Sequence, residues 1–306
     1  MNQYDSGSSA LPPASSPSPE PYPAELAGKP RFRWLGAVVA IVLIVGIVVG
    51  PLVYLAAPGE ITRWRIAAAE EKRLNGDMPG ALQELDRALQ KRPQDAQLLA
   101  TRARWYLDAE QFDKSIADCD RVLELEPMNV GIRIIRSQAL QYLGRHAEAV
   151  TQWKELLDSD WGHAKSSRPF ILNGLAYARA LANVELTQAL ADIDEAMRRE
   201  GERHEMLDTR GFLYYRQGDF DRALKDLHRS VEIAREDYEK SKGSPRGFTL
   251  PDPREQKLAM QEQAKQLAVI LYHRGLAHEA SGAKDEAQRD FQRVRELGFE
   301  PGEKLF

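Results

Sequence analysis

The sequence predicts an all-α solenoid of about six helix–turn–helix units, preceded by one transmembrane helix and a disordered tail. Three observations carry this reading. Pairs of small residues recur twelve positions apart, and successive pairs lie 34 residues apart at Ala69, Ala103 and Ser137. A run of 23 residues, from Leu35 to Ala57, contains no charge. The residues before that run are rich in Pro, Ser and Gly. The chain divides accordingly into a tail over 1–33, a membrane helix over 34–57 and a repeat body over 58–306.

The tail has few large apolar groups beyond Leu11 and Leu26. It cannot bury enough surface to offset the entropy of ordering, so it is expected to be disordered. Fourteen residues of the run that follows are Leu, Ile or Val. They contribute about −4 to −8 kcal/mol to insertion, with no charged residue opposing. As a helix the run reaches about 34 Å, enough to cross the hydrocarbon core. Trp34 and Tyr54 lie near its ends, where amphipathic rings favour the interface. A cleavable leader is the competing reading, but the run is long for one and Pro58 follows the small-residue site at Ala56-Ala57. Gly46 and Gly50 have the spacing that lets two membrane helices approach, which makes self-association through this face an expectation to test. Lys29, Arg31 and Arg33 precede the span, while Arg63, Arg65, Lys72 and Arg73 follow it. The nearer cluster, free of interleaved acids, points to a cytoplasmic N-terminus with the repeats on the opposite side.

After the span, Ala69 pairs with Ala81, Ala103 with Ser115, Ser137 with Ala149, Gly211 with Ala223, and Gly275 with Ala287. Bulk at either member of a pair would push the two helix axes apart. Pro93 and Pro127 end the second helices of the first two units, because proline has no N–H to continue a helix. Gly76, Gly144, Gly218 and Gly282 fall seven positions after their anchors, and Glu110 takes that place in the second unit. Unit four departs from the spacing. Gly174 and Ala189 are fifteen apart, which predicts three extra residues in the loop near Asn183-Val184. Between Gly211 and Gly275 there are 30 residues beyond one repeat. Apolar periodicity through Val231, Ile233 and Tyr238 carries the second helix of unit five to about Lys242. It resumes near Arg254, so a helical hairpin over about 235–267 is expected to project from the array.

The order of small, aromatic, Gly, aromatic, Ala and apolar residues in Leu207–Val231 resembles the tetratricopeptide repeat, a 34-residue unit. The resemblance covers about 62–301. It implies a solenoid whose first helices line a concave groove that binds a peptide or protein. Carried over position by position, the groove falls to Arg104 and Asp108, Gln138 and Tyr142, and Arg179. Units five and six add Phe212, Tyr215 and Arg216, then Leu276 with Glu279. Tyr and Arg are common interface anchors. Glu70, Arg104 and Gln138 stand where the clamp that reads chaperone C-termini has its first Asn, which disfavours that ligand.

Composition narrows the function further. The net charge of −4 gives no electrostatic case for nucleic acid. Cys119, the single cysteine, is expected in a repeat core, not as a nucleophile. No phosphate-binding loop, dinucleotide fingerprint, HExxH or CxxC motif occurs, so no enzyme, metal or cofactor is expected. His273 and His278 lie on different faces of one helix, and His204-Glu205 lacks a second histidine. The acids Glu70-Glu71 and Asp192, Asp194 and Glu195 read as solvated helix faces. The leading expectation is a single-pass membrane scaffold that docks a peptide or protein partner. The alternative is an assembly subunit that forms homo-oligomers through an uncapped sixth unit and the membrane helix.

Overall fold

A computed structural model describes residues 58–160, 164–242 and 252–302. The tail, the membrane helix with Gly46 and Gly50, and the linker at Trp161-Gly162-His163 lie outside the described residues. Within them no helix is long and apolar enough to cross a membrane.

Twelve helices and no strand occur among the described residues. They form six pairs: α1 (Pro58–Leu74) with α2 (Met78–Lys91), α3 (Ala96–Asp108) with α4 (Phe112–Leu125), and α5 (Val130–Tyr142) with α6 (His146–Asp158). The remaining pairs are α7 (Arg168–Ala182) with α8 (Leu186–Glu200), α9 (His204–Gln217) with α10 (Phe220–Lys242), and α11 (Pro253–Ala280) with α12 (Lys284–Glu296). First helices of successive units also touch, α3 with α5, α5 with α7, α7 with α9 and α9 with α11, so they make the inner layer.

Local chemistry sets the boundaries. After Pro93 and Pro127, Asp95 and Asn129 accept hydrogen bonds from the backbone N–H of Leu98 (3.2 Å) and Ile132 (3.1 Å), which caps α3 and α5. The intra-unit turns need a left-handed residue, supplied by Gly76, Gly144, Gly218 and Gly282. Glu110 adopts the same conformation at φ 57° without a glycine's freedom. The small pairs meet as expected. Ser115 Oγ donates to the Ala103 carbonyl at 2.8 Å, and a Cβ on Gly211 would lie 3.2 Å from the Ala223 carbonyl oxygen.

Unit four is built differently from the expectation. Its turn, residues 183–185, is no longer than the turns of the other units; the three extra residues lie inside α7. The residue twelve before Ala189 is Tyr177, and α7 ends five residues after it, as α3 ends five after Ala103. Gly174 is small for another reason: a Cβ there would come within 2.6 Å of the Trp153 ring on α6. It packs against the preceding unit, not against α8.

The expected projecting hairpin is also corrected. Helix α10 does run to Lys242, and α11 starts early, with Val231, Ala234, Leu267 and Leu271 packed between them. The N-terminal half of α11 then lies along the inner layer instead of leaving it. Arg254 Nη1 reaches Glu71 Oε1 (2.6 Å) and Asn75 Oδ1 (2.7 Å) at the end of α1. From His273 to Arg254 a helix covers about 28 Å, enough to return across several units. No helix follows α12 among the described residues. Leu297 and Phe299 pack onto the last core cluster, and α12 turns Glu286, Arg289, Arg293 and Glu296 to solvent.

Candidate docking cleft

A recurring ion pair holds the repeat frame. Arg102 on α3 donates to both oxygens of Asp118 (2.7 and 2.7 Å) and to Asp86 of the preceding unit (2.5 Å). Arg210 does the same with Asp226 (2.7 and 3.0 Å) and Asp194 (2.9 Å). Arg274 pairs with Asp290 (2.8 and 2.6 Å). In every case the acid lies fifteen residues after the small anchor, and Asp192 holds the same offset from Tyr177. An alanine, Ala176, replaces the arginine there, so Arg179 takes Asp192 instead, with Glu185 at 2.9 Å. The acids expected as solvated faces are thus partnered: Asp192 with Arg179, Asp194 with Arg210, and Glu195 with Arg168 at 3.1 Å.

The arm of α11 divides the inner surface into two connected clefts. The larger, about 840 Å³, has Arg104, Asp108, Gln138 and Tyr142 on one wall and Leu258, Glu262 and Lys265 of α11 on the other. Tyr142 is 41% exposed and stacks on Phe112 with ring centres 5.3 Å apart. Lys265 Nζ lies 5.9 Å from the Tyr142 ring and 3.5 Å from Glu110 Oε1. The strained turn residue is therefore also a cleft residue. Asp108 is open to the cleft's water yet surrounded by protein. That desolvation raises its carboxyl pKa above the ordinary value, against the pull of Arg104 and Arg73.

The smaller cleft, about 270 Å³, continues along Asn173, Tyr177, His204, Asp208 and the arm residues Lys265 and Gln266. Its floor is polar and poorly matched. Gln138 Oε1, Asn173 Oδ1, Tyr177 OH and His204 Nδ1 are buried with no hydrogen-bond partner among the described residues. Each such atom costs about 1–3 kcal/mol. Beyond them, His273 of α11 is fully buried, with Nδ1 2.9 Å from Asp208 Oδ1 and its ring stacked on Phe212 at 4.3 Å.

Of the residues the resemblance assigned to a groove, Arg104, Asp108, Gln138 and Tyr142 come together. Arg179 and Phe212 are buried, 5% and 4% exposed, the first in ion pairs with Glu185 and Asp192 and the second in a core cluster. Tyr215 is half-buried against Phe212 and Phe220, and Arg216 is exposed outside both clefts. Glu279 lies with α12 residues at the far end of the array. Sequence reasoning missed Tyr177, hidden by the shifted anchor of unit four, and the whole α11 wall, which had been assigned to a projection. Among the described residues no group of three or more His, Cys, Asp or Glu is placed to hold a metal ion.

Comparisons with known proteins agree with this architecture. No family model matches the chain. An 86-residue stretch is 33% identical to human Tetratricopeptide repeat protein 28, covering 28% of this chain and 4% of the length of that relative. A tetratricopeptide repeat protein from Parabacteroides merdae superposes with a TM-score of 0.51 at 16% identity, over 79% of this chain and 94% of its own. The type IV pilus biogenesis factor PilW superposes with a TM-score of 0.52 at 14% identity, over 78% and 94%. The described body therefore has the tetratricopeptide-type fold, an all-helical solenoid.

Proposed function

We propose that the chain is a membrane-anchored scaffold that docks a peptide or protein partner in the cleft between its inner helices and α11, and that it is not an enzyme. The observation that carries the docking reading is the convergence of Arg104, Asp108, Gln138 and Tyr142 on one cleft of about 840 Å³. A concave site with apolar walls and a few polar groups is the usual form of a binding pocket. An exposed aromatic beside an exposed arginine is the usual composition of an interface anchor. The anchor reading rests on the uncharged run within 34–57 and the orientation on the basic cluster before it. Self-association through the terminal unit is not part of the proposal, since α12 covers that end with charged residues.

Affinity purification of the full chain from detergent-solubilised membranes tests the docking reading. The Arg104→Ala and Tyr142→Ala double variant should lose at least one protein that the parent retains, with an unchanged melting curve. Retention of every partner would sink it. A C-terminal reporter active only in the cytoplasm would reverse the orientation.

A further inference from the structure

The arm of α11, residues 252–266, is the part of the array that belongs to no repeat, and its attachment differs along its length. From Ala264 onward buried residues recur and His273 is locked by Asp208, whereas no residue from Pro253 to Gln263 is fully buried. The outer end is tied to α1 by an ion pair that water reaches, Arg254 with Glu71, whose side chains are 36% and 59% exposed, and the arm's root by another, Lys265 with Glu110, 34% and 62%. Exposed pairs of this kind hold weakly. Under the arm lie Gln138 Oε1, Asn173 Oδ1 and Tyr177 OH, which meet no hydrogen-bond partner among the described residues.

Resting on the docking function above, we propose that the α11 arm is a displaceable wall of the cleft, a built-in occupant of the groove of inner helices, and that the partner is an amphipathic helix which takes the arm's place on that groove. The face the arm presents states the partner's chemistry. Arg254, Leu258, Glu262 and Lys265 follow one another at helical spacing: Arg254 pairs with Glu71 at the end of α1, Leu258 and Glu262 line the cleft, and Lys265 pairs with Glu110. A partner helix carries a basic residue for Glu71 and Asn75, an apolar residue one turn on, and a second basic residue for Glu110 two turns further. It also brings side chains that satisfy the polar floor.

The test uses the full chain and a fluorescent synthetic peptide of residues 252–270. The tethered arm competes at high effective concentration, so the peptide's apparent affinity for the parent chain is reduced by the fraction of open clefts. Arg254→Glu releases the arm at Glu71 and should tighten peptide binding about fivefold, the equivalent of one exposed ion pair. Adding Glu71→Arg restores the pair with reversed sign and should return the arm to its seat, which separates release from misfolding. In the parent, amides of 254–263 should exchange with deuterium faster than those of 267–279. Equal protection of both segments, or peptide binding that Arg254→Glu leaves unchanged, would overturn the proposal. So would light scattering that shows the Arg254→Glu chain dimerising by exchange of arms, because the occupant would then be a second copy. None of these readouts needs a natural partner, so a failure here is separable from a failure of the docking function.

Discussion

Gly174 touches the indole of Trp153, which is 1% exposed and pinned by its Nε1 donating to Gln141 Oε1 at 2.9 Å. A methyl there would meet three ring atoms at 2.6–2.8 Å, and the ring has nowhere to go. We expect Gly174→Ala to destabilise the chain, since overpacking costs about 1–3 kcal/mol and the helix gains only about 1 kcal/mol from losing a glycine. Gly131→Ala is the comparison: its nearest neighbour would be Asn129 Oδ1 at 3.5 Å, so the helix gain should survive. Urea midpoints of the two variants should move in opposite directions. Cys119 gives a second residue-level expectation. Burial pushes its thiol up to about 12, so at pH 8 the thiolate is scarce and the atom is enclosed. Iodoacetamide should leave the folded chain unmodified by mass spectrometry and label it once urea unfolds it.

Helices are joined to helices by the Arg–Asp ladder as well as by apolar contact. Asp118 has a side chain only 5% exposed, so Arg102→Met would leave a buried carboxylate without its cation. The expected loss is about 3–5 kcal/mol. Arg87, 57% exposed and paired with Glu84, should cost under about 0.5 kcal/mol on the same change. Denaturation of the two variants separates a ladder that frames the repeat from an ordinary surface pair. The helix pattern was readable because it depends on spacing within one repeat: Pro93 closing a second helix, or Ser137 twelve before Ala149. Unit four misled for the same reason. A Gly at 174 matches the local motif, and only contact with Trp153 reveals which helix it serves. Asp192 at the common offset from Tyr177 was the available signal for the true register.

For the whole molecule, superhelical curl is the deciding property. It brings the end of α1 to the start of α11, 183 residues away in sequence, and closes the clasp between Glu71 and Arg254. The Arg254 hydrogen bond holds the Glu71 carboxyl below its ordinary pKa. A depressed carboxylate contributes fully above its unfolded value and is lost only as pH falls through the lowered one, so the clasp stays charged at neutral and mildly acidic pH. Salt is the better lever. Raising ionic strength from about 0.01 to 1 M shortens the screening length from about 30 to 3 Å. Amide exchange in 254–263 should accelerate under that change, while 267–279, held by packing and by Asp208, should not. If both segments respond alike, the arm is not held by its surface charges.

Sequence alone determined the helix pairs, the glycine turns of four units, and four residues of the cleft, because all of these follow from spacing within one repeat. It also carries the case for the membrane anchor, which rests on an uncharged run and needs no tertiary contact. Only the tertiary structure decided the course of α11. Its residues are equally suited to a free hairpin, and the choice depends on charges and carbonyls that the curl of five preceding units places opposite them. The same curl turned a groove inferred along the whole array into two clefts that run from unit two to unit five and share a wall with the chain's own helix.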